Sequence, residues 1–299
     1  MRRWITALAC AAALLPSTGC TAPAPPAGLD GDLTDGWSAI DAPAPFRPAA
    51  GTCHEELTTA VPMDAYQPVE CRELHVSETV FVGTLTGTAA AAGEAPAVGS
   101  AASRTAYRQC SKRASTFAGA PWRTGLLTLT VGWPAPEAWS GGARWYRCEL
   151  TQADLTSARQ ISREGSLRES LAGPAPLRLR CFDPAVAGGR VDSMRPVPCT
   201  KRHRAEFVGI FKAPDMDFTE LTADRERTAK GCRSAIARYA GVPDDSNVQF
   251  RSGWISYNPT EDEWRQGERG VRCFTWFNDE QVTRSVKGVG PRGLPIRYS

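Results

Sequence analysis

Apolar residues recur at two different periods along the chain, and the same order of periods occurs twice. Runs rich in β-branched and aromatic residues stand at 79–83 (TVFVG) and 207–209 (FVG), and alternating apolar residues occupy 125–133 and 247–259. Such runs are typical of strands. Between the members of each pair, the period lengthens to that of a helix.

The two predicted helices lie at 103–119 and 221–241. Their apolar residues are spaced three or four positions apart, as on one face of a helix. Both segments end in a glycine nine residues after a cysteine, at Gly119 and Gly241, where a left-handed C-cap is expected. The apolar positions are Tyr107, Cys110, Ala114 and Phe117 in the first helix and Ala229, Cys232, Ile236 and Tyr239 in the second.

Eight cysteines follow this double pattern. The gaps between successive cysteines are 18, 39 and 38 residues in the first set and 18, 33 and 41 in the second. An even cysteine set in an exported chain implies disulfides, and an 18-residue gap that is kept in both copies is expected of a closed loop. We therefore predict the pairs Cys53–Cys71, Cys110–Cys148, Cys181–Cys199 and Cys232–Cys273.

Several shorter motifs repeat with the cysteines. PVxC at 68–71 and 196–199 is followed by His-x2-Glu in both copies, and Trp-x2-Gly-x-Arg-x2-Arg precedes the last cysteine of each. We predict two tandem repeated domains, 51–178 and 179–299. Each is expected to run strand, strand, helix, strand, strand, which gives an α+β fold with a small antiparallel sheet, one main helix and two disulfides.

The N-terminus has the pattern of an export signal. Arg2 and Arg3 precede an apolar stretch that is too short to span a bilayer, and STGC at 17–20 resembles a bacterial lipobox. We predict a lipoprotein signal peptide at 1–19, lipid attachment at Cys20 and a Pro/Ala-rich tether at 20–50. A plain secretory signal that is cleaved nearby is the alternative. The low-complexity stretch 86–102 is predicted to be a flexible loop.

Composition adds little to this picture. The chain has 299 residues, 42% of them hydrophobic, and a net charge of +3. This is a globular composition, and the charge gives no reason to expect a nucleic-acid partner.

The repeated His-x2-Glu motifs are candidates for a ligand-binding or a structural role. His75 with Glu78 and His203 with Glu206 contain the groups of an acid–base pair. No free cysteine and no nucleophile motif accompanies them, so the structural interpretation is favoured. The histidine would then bind the turn beside the disulfide, and the glutamate would pair with an arginine, for which Arg144 and Arg269 are candidates.

Metal binding is an alternative for the same cysteines and histidines. Cys-x3-His together with another cysteine offers three zinc ligands. An exported thiol oxidises, however, and the chain has no Cys-x2-Cys motif. We expect neither a metal nor any other cofactor.

Four tryptophans stand near proline and glycine, two of them in the repeated Trp motif at Trp139 and Trp264. Packing in the core beside the disulfides is expected of all four. The alternative is a surface of paired tryptophan and arginine that binds a glycan or a peptide. The remaining two are Trp133 and Trp254.

Taken together, PVxC with His and Glu, a helix cysteine, and Trp-x2-Gly-x-Arg before a last cysteine resemble the septum-formation-related domain family. The resemblance covers both repeats, and GTC at 51–53 and GSLR at 165–168 add to it. It implies an exported, membrane-anchored or lipid-anchored protein of high-GC Gram-positive bacteria with a connection to cell division. It supplies no catalytic residues.

The expected function is that of a non-enzymatic lipoprotein on the extracytoplasmic face of the cell membrane. It would bind an envelope protein or peptidoglycan, in association with septum formation. One alternative is a cell-wall-acting hydrolase or transferase that uses a His/Glu pair. Another is a protein that binds only glycan.

Overall fold

The computed structural model describes residues 45–61, 66–278 and 280–297. The predicted signal peptide, Cys20 and most of the predicted tether lie outside the described residues. In the described part, no helix is both long enough and apolar enough to cross a membrane.

The first half of the chain forms a five-stranded sheet in the order β1-β3-β5-β4-β2. All pairs are antiparallel except the short parallel pair of β2 with β4. The strands are β1 (Thr52–His54), β2 (Ala60–Val61), β3 (Ser77–Thr84), β4 (Leu127–Pro134) and β5 (Trp145–Gln152), and the helices are α1 (Gly87–Ala91), α2 (Ala101–Ala118), α3 (Pro136–Ser140) and a 3₁₀ turn at Trp122–Thr124.

The second half forms another five-stranded sheet, wholly antiparallel, in the order β7-β6-β8-β10-β9. Its strands are β6 (Cys181–Ala187), β7 (Arg190–Val197), β8 (Ala205–Lys212), β9 (Gly253–Tyr257) and β10 (Gly270–Trp276). Its helices are α4 (Phe218–Ala223), α5 (Arg225–Ala240), α6 (Glu261–Gln266) and α7 (Gly290–Gly293), with a 3₁₀ helix at Ser246–Phe250.

Four strands and the main helix occur in the same order in both halves. The order β1-β3-β5-β4 corresponds to β6-β8-β10-β9, and the extra edge strands β2 and β7 lie at opposite edges. The α+β fold is confirmed, and the two sheets are compatible with tandem domains. The strand predicted at 247–259 is shorter than expected, because 246–250 form a 3₁₀ helix and β9 begins at Gly253.

The two main helices end at the predicted glycine C-caps, whereas their N-caps are residues that were not assigned from the sequence. Gly119 and Gly241 end α2 and α5 with φ of 81° and 73°, a left-handed conformation that glycine adopts without steric cost. At the other ends, the side chains of Ser100 and Asp224 accept hydrogen bonds from backbone N–H groups of the first turn.

Each main helix packs its apolar face on one side of its own sheet. Tyr107, Cys110 and Phe117 of α2 join a core with Leu129 and Leu150. The equivalent core of the second half contains Cys232 and Ile236 of α5, with Val271 and Cys273 of β10. All four predicted disulfides are present: Cys53–Cys71, Cys110–Cys148, Cys181–Cys199 and Cys232–Cys273. Cys110–Cys148 lies within the first core, and Cys232–Cys273 lies within the second.

The opposite face of the second sheet packs against the first half. The ring of Phe274 contacts those of Phe182 and Phe207 there, at centroid distances of 5.5 Å and 5.4 Å. Leu155 and Leu126 of the first half belong to the same apolar cluster. The two halves therefore share this third apolar cluster in addition to their own cores, and the described residues from Pro45 onward form one compact unit.

Arg272 ties the halves together through the backbone. It is buried in β10, and its guanidinium donates hydrogen bonds to the carbonyl oxygens of Arg123 (3.0 Å), Gly125 (3.1 Å) and Leu127 (2.7 Å). Burial, together with the nearby charge of Arg123, lowers the pKa of Arg272 to about 9. The guanidinium thus satisfies three carbonyl groups of the first half at the seam.

Replacing Arg272 with methionine is expected to destabilise the protein by about 3 kcal/mol or more, because three buried carbonyl groups lose their donors. The urea midpoint, followed by tryptophan fluorescence, measures this change. Arg265→Met is the matched control, since its side chain is half exposed and pairs only with Asp262 on the surface. Equal midpoints for the two variants would contradict the assigned role of Arg272.

Candidate functional site

The two histidines of the His-x2-Glu motifs lie just before equivalent strands: His75 precedes β3, and His203 precedes β8. The backbone of His75 pairs with Arg163, and that of His203 pairs with Val282, each through two hydrogen bonds. Their Nδ1 atoms lie 2.8 Å and 2.7 Å from the carbonyl oxygens of Glu73 and Lys201. In both halves, the histidine therefore fixes a turn to the segment that follows the last strand.

Glu78 binds that same returning segment. Its carboxylate accepts hydrogen bonds from the hydroxyl of Ser166 (2.7 Å) and from the backbone N–H of Leu167 (2.6 Å). The side chain is 2% exposed. A buried carboxylate needs such donors, because an unpaired one would be costly to desolvate.

Glu206 makes the equivalent contacts and two more. Ser285 Oγ and Val286 N donate to it at 2.7 Å and 2.9 Å. The hydroxyl of Tyr239 donates at 2.9 Å, and His203 Nε2 lies 3.0 Å from Oε1. The first half lacks both additions, because Phe117 stands where Tyr239 does and, among the described residues, no hydrogen-bond partner reaches His75 Nε2.

We call each set the return latch: His75, Glu78, Ser166 and Leu167 in the first half, and His203, Glu206, Ser285 and Val286 in the second. Every histidine and glutamate of the latches is at least 98% buried. Because their carboxylates are already bound to protein donors, the latches hold the chain rather than present an acid–base pair to solvent.

The surroundings of the second latch favour the charged forms of both His203 and Glu206. Burial alone would lower the pKa of His203, but its hydrogen bonds to Glu206 and to the Lys201 carbonyl outweigh burial and raise that pKa. Burial would raise the pKa of Glu206, yet its hydrogen bonds from His203, Ser285 and Val286 lower it. The geometry favours an ion pair between imidazolium and carboxylate.

A cysteine lies beside each His/Glu pair, so that potential ligand atoms of Cys53, His75 and Glu78 lie within 4.8 Å of one another, as do those of Cys181, His203 and Glu206. Both cysteines are disulfide-bonded and supply no thiolate. The residues present therefore do not match a zinc site with a cysteine ligand.

The repeated Trp and Arg residues form a second device in each half. The guanidinium carbon of Arg144 lies 4.2 Å from the ring centroid of Trp139, and that of Arg269 lies 3.9 Å from Trp264. Both tryptophans are buried. The prediction that these arginines pair with Glu78 and Glu206 was wrong, since the arginines stack on tryptophan and the glutamates bind the returning segment.

These stacks, which we call the tryptophan clamps, bind the connection from β3 to α2 in the first half and the connection from β8 to α5 in the second. In the first half, Trp139 Nε1 donates to the carbonyl oxygen of Ala92 (2.9 Å), and Arg144 donates to Ala90. In the second, Trp264 Nε1 donates to Met216 (2.8 Å), and Arg269 binds Asp215.

The clamp also changes the interpretation of 86–102, which was predicted to be a flexible loop. This segment contains α1 and the first residues of α2. The carbonyl groups of Ala90 and Ala92 are bound by Arg144 and Trp139. The prediction from composition failed because the stabilising donors come from residues about 50 positions away.

A buried polar network that was also not predicted from the sequence lies on the face of the first sheet opposite α2. Thr79 Oγ1 donates to Glu149 (2.6 Å) and lies 3.1 Å from His54 Nε2, while Arg147 Nε lies 3.6 Å from the same carboxylate. Burial raises the pKa of Glu149, although Arg147 and Thr79 oppose it. Burial, with the charge of Arg147, lowers the pKa of His54 to about 4.

An open cleft of about 530 Å³ lies where the two halves meet. We call it the junction cleft. The first half contributes Thr124 and Arg178, and the second half contributes Arg180, Phe207 and Lys287; the remaining lining residues are Gly173, Pro174, Leu179, Cys199, Tyr239 and Ser285. No site prediction included it. The one available signal was LRLR at 177–180, whose last residue, Arg180, has no arginine counterpart in the second copy, whereas Arg178 corresponds to Arg297.

The environments of His54 and His203 predict opposite titrations. The folded protein resists protonation of His54, so this residue destabilises the fold as the pH falls from about 6.5 towards 4. The folded protein retains the proton of His203. The stabilising contribution of this proton is complete below a pH of about 6.5 and is lost as the pH rises through the raised pKa. An NMR titration of the imidazole signals is expected to give His203 a higher pKa than His54.

The control for this titration is Glu206→Gln, which should remove the upward shift of His203 and leave His54 unchanged. His203→Gln assigns the signal, since the chain has only three histidines. If His54 and His203 titrated together near the ordinary value, the assigned environments would be wrong.

Comparison with known proteins supports one assignment. No curated protein and no solved structure matches the chain. A family model described as septum formation matches residues 50–273. This range runs through all four disulfides, both tryptophan clamps and the His-x2-Glu motif of each half. The chain therefore belongs to the septum formation family.

Proposed function

We propose that the protein is a non-enzymatic lipoprotein of the cell envelope that binds an envelope protein or peptidoglycan during septum formation. Acyl chains on Cys20 would hold it on the extracytoplasmic face of the cell membrane, and residues 20–44 would link the anchor to the folded part. Family membership supplies the connection to septum formation.

The observation that carries the non-enzymatic assignment is the burial of both His/Glu pairs. Their carboxylates are bound to serine hydroxyl and backbone N–H groups of the return latches. A general acid or base must reach the proton that it transfers. Neither pair offers such access, so the hydrolase or transferase alternative has no support from the geometry.

Two further observations fit an exported binding protein. Four disulfides are typical of an oxidising compartment. Trp139 and Trp264 use their ring faces and N–H groups inside the clamps, which removes them as a platform for stacking on glycan. Binding would thus involve a surface other than the repeated Trp/Arg motif.

Changing Cys20 to alanine is expected to move the protein from the membrane fraction to the medium or the soluble fraction, because the acyl chains can no longer be attached. Immunoblots of fractionated cells that express the full chain measure this. Cys10→Ala is the control and should leave the protein at the membrane. Retention of the Cys20→Ala variant at the membrane would contradict lipid anchoring.

The non-enzymatic assignment is tested with a double variant, His75→Gln with His203→Gln. Loss of the His203–Glu206 pair is expected to cost about 3 kcal/mol of stability, seen as a lower melting temperature. Release of soluble fragments from peptidoglycan should be absent from both wild type and variant. The proposal would be overturned by wild-type release that the variant loses at an unchanged melting temperature.

A direct test of the partner uses the mature, oxidised protein. Sedimentation with purified peptidoglycan and cross-linking in dividing cells distinguish a wall partner from a protein partner. A protein reduced and alkylated at its cysteines is the control, since it lacks the four bridges. If the oxidised protein neither sedimented with peptidoglycan nor formed a specific cross-link at the septum, the binding role would fail.

A further inference from the structure

The junction cleft concentrates positive charge that the protein does not neutralise. Arg178, Arg180 and Lys287 line it. The guanidinium of Arg178 donates a hydrogen bond to the carbonyl oxygen of Gly173 (3.0 Å). Throughout the described part of the chain, no carboxylate forms an ion pair with any of these three cations.

A buried carboxylate, that of Glu206, lies behind the wall formed by Tyr239 and Ser285. Both hydroxyl groups are turned towards it, at 2.9 Å and 2.7 Å. His203 binds its other oxygen. The negative charge of Glu206 is thus compensated from inside the fold, and the three cations of the cleft are left facing solvent.

The equivalent place in the first half is closed. Phe117 corresponds to Tyr239 and Arg168 to Lys287, and the guanidinium carbon of Arg168 lies 4.4 Å from the ring centroid of Phe117. The cation of the first half therefore covers its aromatic ring. In the second half, Tyr239 and Lys287 both line the open cleft.

The walls of the cleft are held by backbone hydrogen bonds from both halves. Leu179 N donates to Thr124 O (2.9 Å), and Phe207 N donates to Arg180 O (2.7 Å). Lys287 N donates to Ser285 Oγ (3.2 Å). The backbone that carries the cations is therefore fixed by hydrogen bonds, which lowers the entropic cost of ordering the site when a ligand binds.

We propose that the junction cleft binds a phosphate group carried by a small polar molecule or polymer unit. Two guanidinium groups and one ammonium group match a phosphate monoester, whose charge of roughly −1.5 to −2 exceeds that of a single carboxylate. The volume of about 530 Å³ accommodates a group of the size of a sugar phosphate beside the apolar walls of Leu179 and Phe207.

This inference gives a ligand class to the proposed binding role and rests on that role for its biological meaning. The phosphate could belong to a cell-wall glycopolymer or to a lipid headgroup, since both are present at the outer face of a membrane. The chemistry of recognition is the same, so the experiment must separate the two sources.

Isothermal titration calorimetry of the oxidised full chain tests the site. N-acetylglucosamine 1-phosphate is expected to bind one molecule per chain, inorganic phosphate more weakly, and neutral N-acetylglucosamine not at all. Arg180→Gln and Lys287→Gln should each weaken binding about tenfold. Lys230→Gln, which removes an equal charge from the exposed face of α5, should leave binding unchanged.

Vesicle sedimentation of the Cys20→Ala protein separates the two sources. Binding to phosphatidylglycerol but not to phosphatidylcholine vesicles, lost in Arg180→Gln with Lys287→Gln, would identify lipid headgroups. Sugar phosphate binding without vesicle binding would identify a soluble or wall-borne phosphate.

Three results would overturn the inference: no heat with either phosphate probe, equal affinity in the Arg180→Gln, Lys287→Gln double variant, or binding of acetate as tight as that of phosphate. If these occurred while the protein still bound its envelope partner, only the cleft assignment would fail. If the cleft bound phosphate but no envelope partner was found, the proposed function would fail and the cleft would stand.

Discussion

A buried carboxylate that binds the returning chain is the constraint on which the arrangement of both halves depends. In the first half, Glu78 fixes Ser166 and Leu167. The segment that follows then binds residues 124–126, between the 3₁₀ turn and β4, because Leu126 N donates to Leu177 O and Leu179 N to Thr124 O. This places the start of β6 beside the first half, where the seam forms. Without the latch, the desolvated carboxylate would lose its donors, and the connecting segment would lose its direction.

The last arginine of the repeated Trp motif has a different role in each half. Arg272 and Arg147 both precede the last cysteine of their half, and both are buried on the face of their sheet that lies opposite the main helix. Around Arg272 the face carries phenylalanines, and the arginine donates to three carbonyl groups of the other half. Around Arg147 it carries Glu149 and Thr79, and the arginine makes one hydrogen bond, to Thr58 O. An apolar face can form a shared core, whereas a polar face needs internal partners.

Much of the frame could be predicted from sequence, because it depends on local signals and fixed spacings. The cysteine gaps predicted all four disulfides, and the helical spacing with Gly119 and Gly241 located the main helices. The partners of the motifs could not be predicted in this way. Glu78 binds Ser166, and Trp139 binds Ala92, across separations of 88 and 47 residues. No local pattern specifies which distant donor meets a carboxylate, and so Arg144 and Arg269 were assigned to the wrong partners.

The parts that the two halves share are structural, and the parts in which they differ are open to a ligand. Latches, clamps and disulfides recur in both halves, and their carboxylates and indole N–H groups are bound within the fold. The junction cleft depends in addition on residues that differ between the copies: Arg180 has no arginine counterpart, and Lys287 replaces an arginine that would stack on the neighbouring ring. A chain with two copies of one frame thus gains a binding site where the copies meet, because there the charges are supplied by both halves and compensated by neither.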